Sequence, residues 1–519
     1  MVGWYDPGQL ISTGVQVVVS DLIGTRFDAR SEEALAAKGD EKLTDYSQGT
    51  AGDFWFDYLA DTGDGWDSTT RIATLVSQST VSVGGKSLPR GRFLILGGDE
   101  VYPAASKQTY QERLIAPFEA ASPRTNQQIQ SHDLYAIPGN HDWYDGLVSF
   151  LRQFCQQRRI GSWSTRQTRS YFALKLPYNW WLWAVDTQLE NDIDRSQVEY
   201  FRSTVEKMSD GDRLIVCIPE PDWLYGKMQN DPTLMNNLEF LLGPWVLGQK
   251  NVKAYVTLSG DLHHYRRHQH VSDVNQQKIV AGGGGAFLHP THFNSKIDEV
   301  DVYGQKFRLI KETQFPKPKT SFWLTFLNLV FPILNPWFGI LPAIIYLYFG
   351  WHFLQIEWSL SFVRDLVVTS HPATLALVAM FYCGFFYFSQ GGRVFRALWG
   401  GIVHTTAHVA AVWWLADLAN RWFGTDLTQF RSALYRLVFL FIGGYLCGSM
   451  IMGTYLLLSL NLFRRHHNEA FSALRIKHYK NFLRLKIAPN GTLEIFPIGV
   501  PHLSQQPILI EGPIVISPV

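Results

Sequence analysis

Five short motifs before residue 270 carry side chains that bind metal ions or move protons. They are Asp61-Thr62-Gly63-Asp64, Gly98-Asp99-Glu100-Val101-Tyr102, Gly139-Asn140-His141-Asp142, Pro219-Glu220-Pro221-Asp222 and Gly260-Asp261-Leu262-His263-His264. Carboxylate, amide, phenol and imidazole groups are the ligands that hard and borderline metal ions prefer. One such motif alone usually marks a turn. Five in succession, most of them beside a glycine that lets the backbone come close, predict a metal centre.

Each motif follows a short apolar run that is typical of a β-strand. Strands are predicted over Phe54–Ala60, Arg92–Gly97, Asp133–Pro138, Trp180–Asp186, Arg213–Ile218 and Val252–Ser259. A helix is predicted over Gln197–Met208, where Ser196 and Glu199 have the spacing of a capping box. Strands that alternate with helices indicate an α/β fold. Ligands collect at the carboxyl ends of such strands, so the motifs stand where a site is expected.

The order of the motifs resembles that of the calcineurin-like metallophosphoesterase superfamily, whose blocks run D-x-H/G, GD, GNH, a strand ending in His, and G-H-x-H. Two details are similar to the purple acid phosphatase branch. Asp61-x-Gly63 lacks the usual second His, and GDxxY places Tyr102 where that branch has a metal-binding phenolate. The resemblance covers about Phe54 to Thr291 and implies a four-layer α/β/β/α domain.

The resemblance also implies roles for individual residues. The first metal would take Asp61, Asp99, Tyr102 and His263. Asp99 would bridge to a second metal, which would also take Asn140. His141 would lie outside the metals and assist phosphate binding or protonation of the leaving group, and Asp142 would orient it through a hydrogen bond.

This sequence departs from the family pattern at the second metal. Pro219 stands where the fourth motif should end in His, and Glu220 is the nearest ligand. Asp261 replaces the first His of the fifth motif. A site rich in oxygen favours Mn²⁺ or Mg²⁺ over zinc. We therefore expect two divalent ions, or Fe³⁺ with a divalent ion, drawn from Mn, Fe and Mg.

Further side chains and one alternative complete the expected site. Asp64, His264 and His289 are expected as substrate contacts or as residues that support the ligands. Tyr102 either binds Fe³⁺ as a phenolate or stays neutral beside Mn²⁺ or Mg²⁺, since an unperturbed tyrosine has a pKa of about 10.

The composition changes near Pro316-Lys317-Pro318-Lys319, after which long uncharged runs follow. Four of them, Asn335–Ile356, His371–Ser389, Ala397–Ala419 and Leu437–Phe463, are near the ~20 residues that a membrane-spanning helix needs. They predict an α-helical transmembrane bundle. The run Phe322–Leu334 is too short to span, so we interpret it as interfacial or re-entrant.

Charge and turn signals complete the predicted organisation. Lys and Arg are in excess at both ends of the apolar region, which favours a cytoplasmic location for the termini and for the domain that carries the motifs.

Four domains are expected: an amphipathic extension at 1–50, a metallophosphoesterase domain at 51–315, a transmembrane domain at 316–465 and a cytoplasmic tail at 466–519. The N-terminus shows no secretory signal. Asn490-Gly491 predicts a hairpin within Asn481–Ile498.

Three other groups of residues permit two interpretations each. The run Gly282–Gly285 is either a phosphate cradle or a tight loop beside the metals. Arg158, Arg159, Arg166 and Arg169 form either a phosphate-binding cluster or a solvated basic face. His404 and His408, one turn apart in a predicted span, either line a functional cavity or hydrogen-bond to neighbouring helices.

The resemblance implies a metal-dependent phosphoester hydrolase, a phosphatase or phosphodiesterase. With a membrane anchor, its expected substrate is a membrane-derived or membrane-proximal phosphoester, possibly lipid-linked, and its other partners are membrane lipids. A net charge of +1 gives no argument for nucleic acid or acidic partners, and no nucleic acid is expected as a partner. The alternative is a non-catalytic scaffold, receptor or transport-linked membrane protein whose degenerate domain binds a phosphate-bearing ligand. The sequence predicts no oligomeric state.

Overall fold

The computed structural model describes residues 1–12, 43–122, 132–187, 193–248, 250–293, 297–354, 372–389, 394–426 and 429–517. The chain divides into two compact units. The first, which we name the α/β unit, contains Met1–Val2, Ser12–Ser321 and Arg475–Val519. The second, the helical unit, contains Gly3–Ile11 and Phe322–Leu474. Both ends of the helical unit thus continue into the same α/β unit.

Twenty strands are found among the described residues. In chain order they are β1 Thr44–Asp45, β2 Phe54–Leu59, β3 Thr80–Val83, β4 Lys86–Pro89, β5 Phe93–Leu96, β6 His132–Ala136, β7 Arg159–Ile160, β8 Trp163–Thr165, β9 Phe172–Leu176, β10 Trp180–Ala184, β11 Arg213–Ile218, β12 Lys253–Ser259, β13 Tyr265–His270, β14 Gln277–Ala281, β15 Glu299–Val302, β16 Gln305–Leu309, β17 Lys480–Ile487, β18 Leu493–Val500, β19 Ile508–Leu509 and β20 Ile514–Ile516. The six predicted strands are all present, with ends that differ by at most two residues.

The strands of the α/β unit form two sheets of nine strands each and a separate hairpin, β3-β4. The first sheet has the order β1-β9-β10-β11-β12-β14-β13-β16-β15. The second has the order β19-β18-β17-β2-β5-β6-β8-β7, with β20 beside β18. The strands that precede the motifs are parallel neighbours, β2-β5-β6 in the second sheet and β11-β12 in the first. Their carboxyl ends therefore lie along one edge of each sheet.

Alternating side chains divide the apolar residues of the sheets between three cores. In β10, Trp180, Leu182 and Ala184 join a core shared with residues of the second sheet, including Phe56 of β2. Trp181 and Trp183 face the other way and pack with Phe201 and Trp223, which lie on helices. The same division applies to the second sheet, whose outer face packs on helices that include Trp66–Ser77. Period-two alternation thus produces two sheets face to face with helices outside them.

Short helices connect the strands and cover the sheets. In the α/β unit they are Trp66–Ser77, Lys107–Tyr110, Ala116–Ala121, Asn140–Trp143, Val148–Phe154, Arg195–Val205, Asp222–Gln229, Asn236–Leu241 and Pro244–Leu247, with a π-helix at Gln111–Ile115 and 3₁₀ turns at Pro232–Met235 and Lys311–Thr313. The predicted capping box of Ser196 and Glu199 is wrong. The helix begins at Arg195, two residues earlier, because the Asp194 side chain caps it by accepting from Gln197 N at 2.8 Å.

The C-terminal tail differs from the separate domain that the sequence predicts. Its hairpin is present as β17 and β18, joined around Asn490-Gly491. However, β17 pairs with β2, so the tail contributes central strands to the second sheet. Arg484 on β17 and Asp57 on β2 form a buried ion pair with N–O distances of 2.7 and 3.0 Å. Apolar residues on both faces of these strands require burial, which a free tail would not provide.

The first fifty residues also differ from the predicted extension. Residues 13–42, where most of the predicted amphipathic segment falls, lie outside the described residues. Met1–Val2 and β1 belong to the α/β unit, where Val2 N donates to Asp64 Oδ1 at 2.7 Å. Tyr5 belongs to the helical unit, where its ring packs edge-on against Phe331 and Phe338. The described part of this segment is therefore packed into folded structure.

Between Phe322 and Leu474, the described residues of the helical unit form the helices Phe331–Leu334, Ile340–Phe353, Pro372–Phe388, Val394–Phe423, Phe430–Phe463 and His467–Ser472, with a 3₁₀ stretch at Thr325–Val330 and the end of a helix that covers Pro318–Leu324. The four longest of these helices overlap the four predicted spans. Their core contains Tyr346, Val412 and Leu440, each from a different helix.

Among the described residues, one helix, Phe430–Phe463, is long and apolar enough to cross a membrane by length and composition. Ile340–Phe353 and Val378–Phe388 are apolar but shorter. The predicted multi-span bundle therefore stays a prediction. The interfacial interpretation of Phe322–Leu334 stays one too, and this run forms 3₁₀ and α-helical turns.

Candidate active site

The five motif loops meet at the carboxyl ends of the parallel strands of both sheets. Asp61, Asp99 and Asn140 follow β2, β5 and β6 of one sheet, whereas Glu220 and Asp261 follow β11 and β12 of the other. Backbone hydrogen bonds join neighbouring loops, as between Asp61 N and Gly98 O at 2.9 Å and between Gly260 N and Pro219 O at 3.2 Å. The two sheets are linked where Asp261 N donates to the Asp61 carboxylate at 2.9 and 3.1 Å. The motifs thus form one cluster.

Asp61, Asp99 and His263 surround the hydroxyl of Tyr102. This hydroxyl lies 3.2 Å from Asp61 Oδ1, 3.2 Å from Asp99 Oδ2 and 2.9 Å from His263 Nε2. All four side chains are buried, with Asp61 and Tyr102 at 0% exposure. Three of the five loops therefore direct oxygen and nitrogen ligands at one point. We name these four residues the Tyr102 cluster.

The backbone at the cluster adopts conformations that bring these carboxylates inward. Asp61, Asp99 and Asp261 have φ of 59°, 54° and 63°, in the left-handed region that non-glycine residues rarely adopt. Such strain collects at functional sites. Neighbouring glycines make room for the carboxylates, since a Cβ on Gly282 would lie 2.3 Å from Asp61 Oδ2 and one on Gly139 would lie 2.1 Å from Asp99 Oδ1.

A second layer of hydrogen bonds orients His263. Its Nδ1 lies 2.6 Å from Phe287 O, which turns Nε2 towards the Tyr102 hydroxyl. Phe287 N in turn donates to Asp64 Oδ2 at 2.8 Å, and the other Asp64 oxygen accepts from Val2 N. Asp64 thus fixes the backbone that orients a ligand, as the residues behind metal ligands commonly do.

The position of His141 agrees with a role beside the cluster, but its predicted partner is wrong. His141 N donates to Asp99 Oδ1 at 2.9 Å, and its ring centroid lies 4.4 Å from that of Tyr102. His141 Nδ1 lies 2.5 Å from Pro103 O, which takes the orienting place expected for Asp142. Asp142 instead binds the backbone N–H groups of Glu100 and Gly139, at 3.2 and 2.9 Å. It thereby ties two motif loops together, because a buried carboxylate satisfies backbone donors well.

The ligands expected for the second metal lie at the edge of the cluster. Asn140 Oδ1 is buried and has no hydrogen-bond partner among the described residues. The Asp261 carboxylate is half-buried and accepts a short hydrogen bond from Tyr225. Glu220 is half-buried, and it raises the pKa of Asp261 after the larger effect of burial. The buried Pro219 adds no ligand, and a Cβ on Gly98 would lie 3.1 Å from its Cβ.

Burial and crowding of like charges set the electrostatics of the site. Burial, followed by Asp99 and Asp261, raises the pKa of Asp61 well above its ordinary value. Burial and then Asp142 raise the pKa of Asp99 to about 8. Burial lowers the pKa of His263 well below its ordinary value. The site thus assembles carboxylates whose charged forms need a cation, together with an imidazole that is uncharged and able to bind one.

Lys480, at the start of β17, supplies positive charge near the cluster and is absent from the sequence prediction. It is fully buried, and Nζ donates to Ala286 O at 2.6 Å. Burial lowers its pKa to about 7, and the charges of Asp64 and Asp61 act in the opposite direction. No motif marks it, because it lies in the tail and reaches the site only through the pairing of β17 with β2.

The donor atoms fit one metal better than two. The Tyr102 cluster offers two carboxylates, a phenol and an imidazole, the set that borderline ions prefer. The second set offers the unpartnered Asn140 amide oxygen and carboxylates. Among the described residues, no group of three or more His, Cys, Asp or Glu side chains has an arrangement ready to hold a metal ion. The phenol and the amide are therefore needed to complete either set.

The other candidate residues fall into supporting positions. The ring of His289 stacks on that of His263, with centroids 3.9 Å apart. His264 is buried, and burial lowers its pKa to about 3. The run Gly282–Gly285 forms a tight loop, in which Gly284 N donates to Ala60 O at 2.9 Å. This packing favours the second interpretation of the glycine run.

The structure favours a solvated basic face over a phosphate-binding cluster for the arginines between residues 158 and 169. Arg158, Arg159 and Arg166 are exposed, and Arg166 pairs with Asp133 at 2.7 Å. The guanidinium of Arg169 lies over the rings of Tyr171 and Tyr200 instead.

Comparison with known proteins gives distant structural likenesses alone. No family model matches the sequence, and no curated protein matches it. The solved structures that are similar to it include GAP50, "the anchor in the inner membrane complex of Plasmodium", with 13% identity, a TM-score of 0.34, and coverage of 46% of this chain and 74% of that one. Purple acid phosphatase PPD1 from yellow lupin (Lupinus luteus) seeds has 13% identity and a TM-score of 0.33, with coverage of 46% of this chain and 46% of that one. PhoD has 11% identity and a TM-score of 0.28, with coverage of 46% of this chain and 58% of that one. Likenesses at these values assign no function to this chain.

Proposed function

We propose that the chain is a metal-dependent phosphoester hydrolase. The observation that carries this proposal is the convergence of Asp61, Asp99 and His263 on the Tyr102 hydroxyl at distances of 2.9–3.2 Å. These groups come from three strand ends in two sheets, and each of them is buried. A bound cation would offset the burial and the repulsion from Asp99 and Asp261 that together raise the pKa of Asp61.

In this proposal the residues of the site bind metal, orient the phosphate and move a proton. Metal ions held by the cluster and by Asn140, Asp261 and Glu220 would polarise the phosphate and make a water molecule more acidic. Asp99 has one carboxylate oxygen beside Tyr102 and accepts from His141 N with the other, which supports the proposed bridging role between the two ligand sets.

His141 is the proposed proton donor to the leaving group. Its Nδ1 is engaged with Pro103 O, so Nε2 is the ring nitrogen that exchanges a proton with the departing oxygen. Burial lowers the pKa of His141, which makes its protonated form a stronger acid. Asp99 holds His141 N and thereby fixes this ring beside the cluster.

We further propose that the helical unit anchors the enzyme in a membrane and that the substrate is a membrane-derived or membrane-proximal phosphoester. The helix Phe430–Phe463 is long and apolar enough to span. Large apolar side chains are exposed along the helical unit, including Ile333, Ile344, Ile442 and Leu462. Surfaces of this kind favour contact with lipid over contact with water.

Chain connectivity constrains this anchor. The helical unit begins and ends in the α/β unit, where β17 pairs with β2 of the same sheet. If the helical unit spans a membrane, its two ends should lie on the same side, and the number of crossings between them should be even. If Phe430–Phe463 spans, at least one further segment crosses with it, as the four-span prediction requires.

A non-catalytic, phosphate-binding scaffold is the second candidate function. The observation that favours it is the hydrogen bond from Tyr225 to Asp261, which engages a carboxylate needed for the second metal. Such a protein would bind inorganic phosphate or a phosphoester and show no turnover.

The experiment that tests the proposal is Asp99→Asn in the purified full chain. The substitution keeps the shape of the side chain and removes the charge that lies between the two ligand sets. We expect hydrolysis of 4-nitrophenyl phosphate and bis(4-nitrophenyl) phosphate to fall by more than the ~10–100-fold typical of residues behind the ligands. Asp67→Asn, an exposed change in the following helix, is the matched control and should retain activity. Wild-type turnover in Asp99→Asn would rule out the proposed site.

A further inference from the structure

The helical unit contains a cavity of about 740 Å³ between the helices Val394–Phe423 and Phe430–Phe463. Most of its wall is apolar and is formed by residues such as Val403, Ala407 and Ile451. A volume of this size lies within the ~300–1,000 Å³ of typical ligand sites. An apolar wall of this kind favours the binding of a hydrocarbon chain, which is buried there away from water.

His404 lines this cavity with a buried imidazole whose nitrogens make no hydrogen bond to the part of the chain that the structure describes. It is 2% exposed, and neither of its ring nitrogens has a hydrogen-bond partner among the described residues. Its ring is held between Phe385 and Tyr455, with centroid distances of 3.9 and 4.4 Å. A buried polar atom without a hydrogen-bond partner destabilises the fold, so a ligand that hydrogen-bonds to His404 would stabilise the protein.

The rest of the polar lining lies at one end of the cavity. Tyr455 hydroxyl and Ser389 Oγ are 2.9 Å apart, and Arg465 Nη1 donates to Ser389 O at 2.6 Å. Arg465 follows the end of the helix Phe430–Phe463, beside the exposed Arg464. This end of the cavity therefore combines positive charge with hydroxyl groups, the setting in which an anionic head group binds.

From this arrangement we infer that the cavity binds a glycerophospholipid with an anionic head group. Arg465 binds the phosphate, His404 hydrogen-bonds to an ester group, and an acyl chain lies along Val403, Ala407 and Ile451. The charged phosphate, the polar ester and the apolar acyl chain thus each contact side chains of matching polarity. The site is separate from the Tyr102 cluster, and the inference stands without the proposed hydrolase activity.

The test measures lipid binding to the full chain purified in dodecyl maltoside. Native mass spectrometry with added dioleoyl phosphatidylglycerol should show one retained lipid and weaker retention of dioleoyl phosphatidylcholine. Ala407→Phe fills the cavity and should abolish retention of both. Ile402→Phe makes a similar change at an outward-facing position of the same helix, 43% exposed, and should bind as wild type.

Two polar variants separate the parts of the site. Arg465→Gln should lower the preference for phosphatidylglycerol over phosphatidylcholine by about tenfold, as loss of a charged hydrogen bond predicts. Arg464→Gln is the matched control and should keep the preference. His404→Phe keeps a ring in the stack and should bind ester-linked and ether-linked phosphatidylglycerol equally, whereas the wild type prefers the ester.

Three results would overturn the inference. They are equal retention of both lipids by the wild type, wild-type retention in Ala407→Phe, and an unchanged head-group preference in Arg465→Gln. Circular dichroism and the binding of Ile402→Phe distinguish loss of a site from loss of fold.

Discussion

At the scale of the residue, the Tyr102 cluster is the part of the site that the sequence predicts best. Asp61, Asp99, Tyr102 and His263 each come from a motif with a defined spacing, and the fold brings them together. The partner of His141 is a backbone carbonyl, and every residue has one of those. Side-chain spacing therefore gave no signal for it. Metal binding by these residues stays a prediction.

The protonation state of the Tyr102 hydroxyl determines which metal ion the cluster favours. Burial and the charges of Asp99 and Asp61 raise its pKa well above 10, so it loses its proton only to a strong cation such as Fe³⁺. We predict that the active protein contains Mn or Mg and is colourless, with Tyr102→Phe reducing turnover by roughly 10–100-fold. Absorption spectra of the wild type and Tyr102→Phe, purified without chelator, check this. A visible band that disappears in Tyr102→Phe would establish the iron phenolate instead.

At the scale of the element, apolar alternation predicts the strands but does not predict their partners. The hairpin at Asn490-Gly491 follows from local sequence, because its turn and both its strands are contiguous. Its pairing with β2 depends on residues far away in the chain. Because the helical unit lies between β2 and β17 in the sequence, local patterns give no indication of this pairing. For the same reason Lys480, on β17, could not be assigned to the site.

The buried pair of Arg484 and Asp57 tests whether the tail is integral to the α/β unit. Both side chains are 0% exposed. Arg484→Met leaves an uncompensated buried carboxylate, so we predict a loss of about 3–5 kcal/mol in the free energy of unfolding of this unit. Chemical denaturation followed by tryptophan fluorescence measures it.

Lys486→Met on the same strand is the matched control. Lys486 pairs with Glu494 nearer the surface, at 2.5 Å with 17% and 22% of the two side chains exposed, and such pairs contribute about 0–1 kcal/mol. Similar losses in the two variants would argue that the tail strand is peripheral.

At the scale of the whole molecule, the segment Phe322–Leu474 of the helical unit is an insertion between two segments of the α/β unit. A linear reading of composition places a boundary near 316 and another near 466, and both transitions are real changes in the chain. Composition alone does not reveal that the segments outside them fold together. The sheet supplies that information through β17 and β2.

Because Phe322–Leu474 is inserted in the α/β unit, we predict that both ends of this segment lie on the same side of the membrane. Reporter fusions truncated after Lys319 and after Asn468 should both give cytoplasmic signals, because the excess of Lys and Arg favours that side. The two positions give the same signal whenever the number of segments that cross between them is even. A periplasmic or luminal signal at either position would contradict the topology.

Metal-dependent turnover tests the central claim most directly. The full chain, purified without chelator, should contain metal and hydrolyse bis(4-nitrophenyl) phosphate or 4-nitrophenyl phosphate. Dialysis against chelator should abolish turnover, and Mn²⁺, Mg²⁺ or Fe²⁺ should restore it together with stoichiometric metal measured by mass spectrometry. Protein that binds no metal, or that turns over equally after its metal is removed, would contradict the assignment of the Tyr102 cluster as a metallophosphoesterase centre.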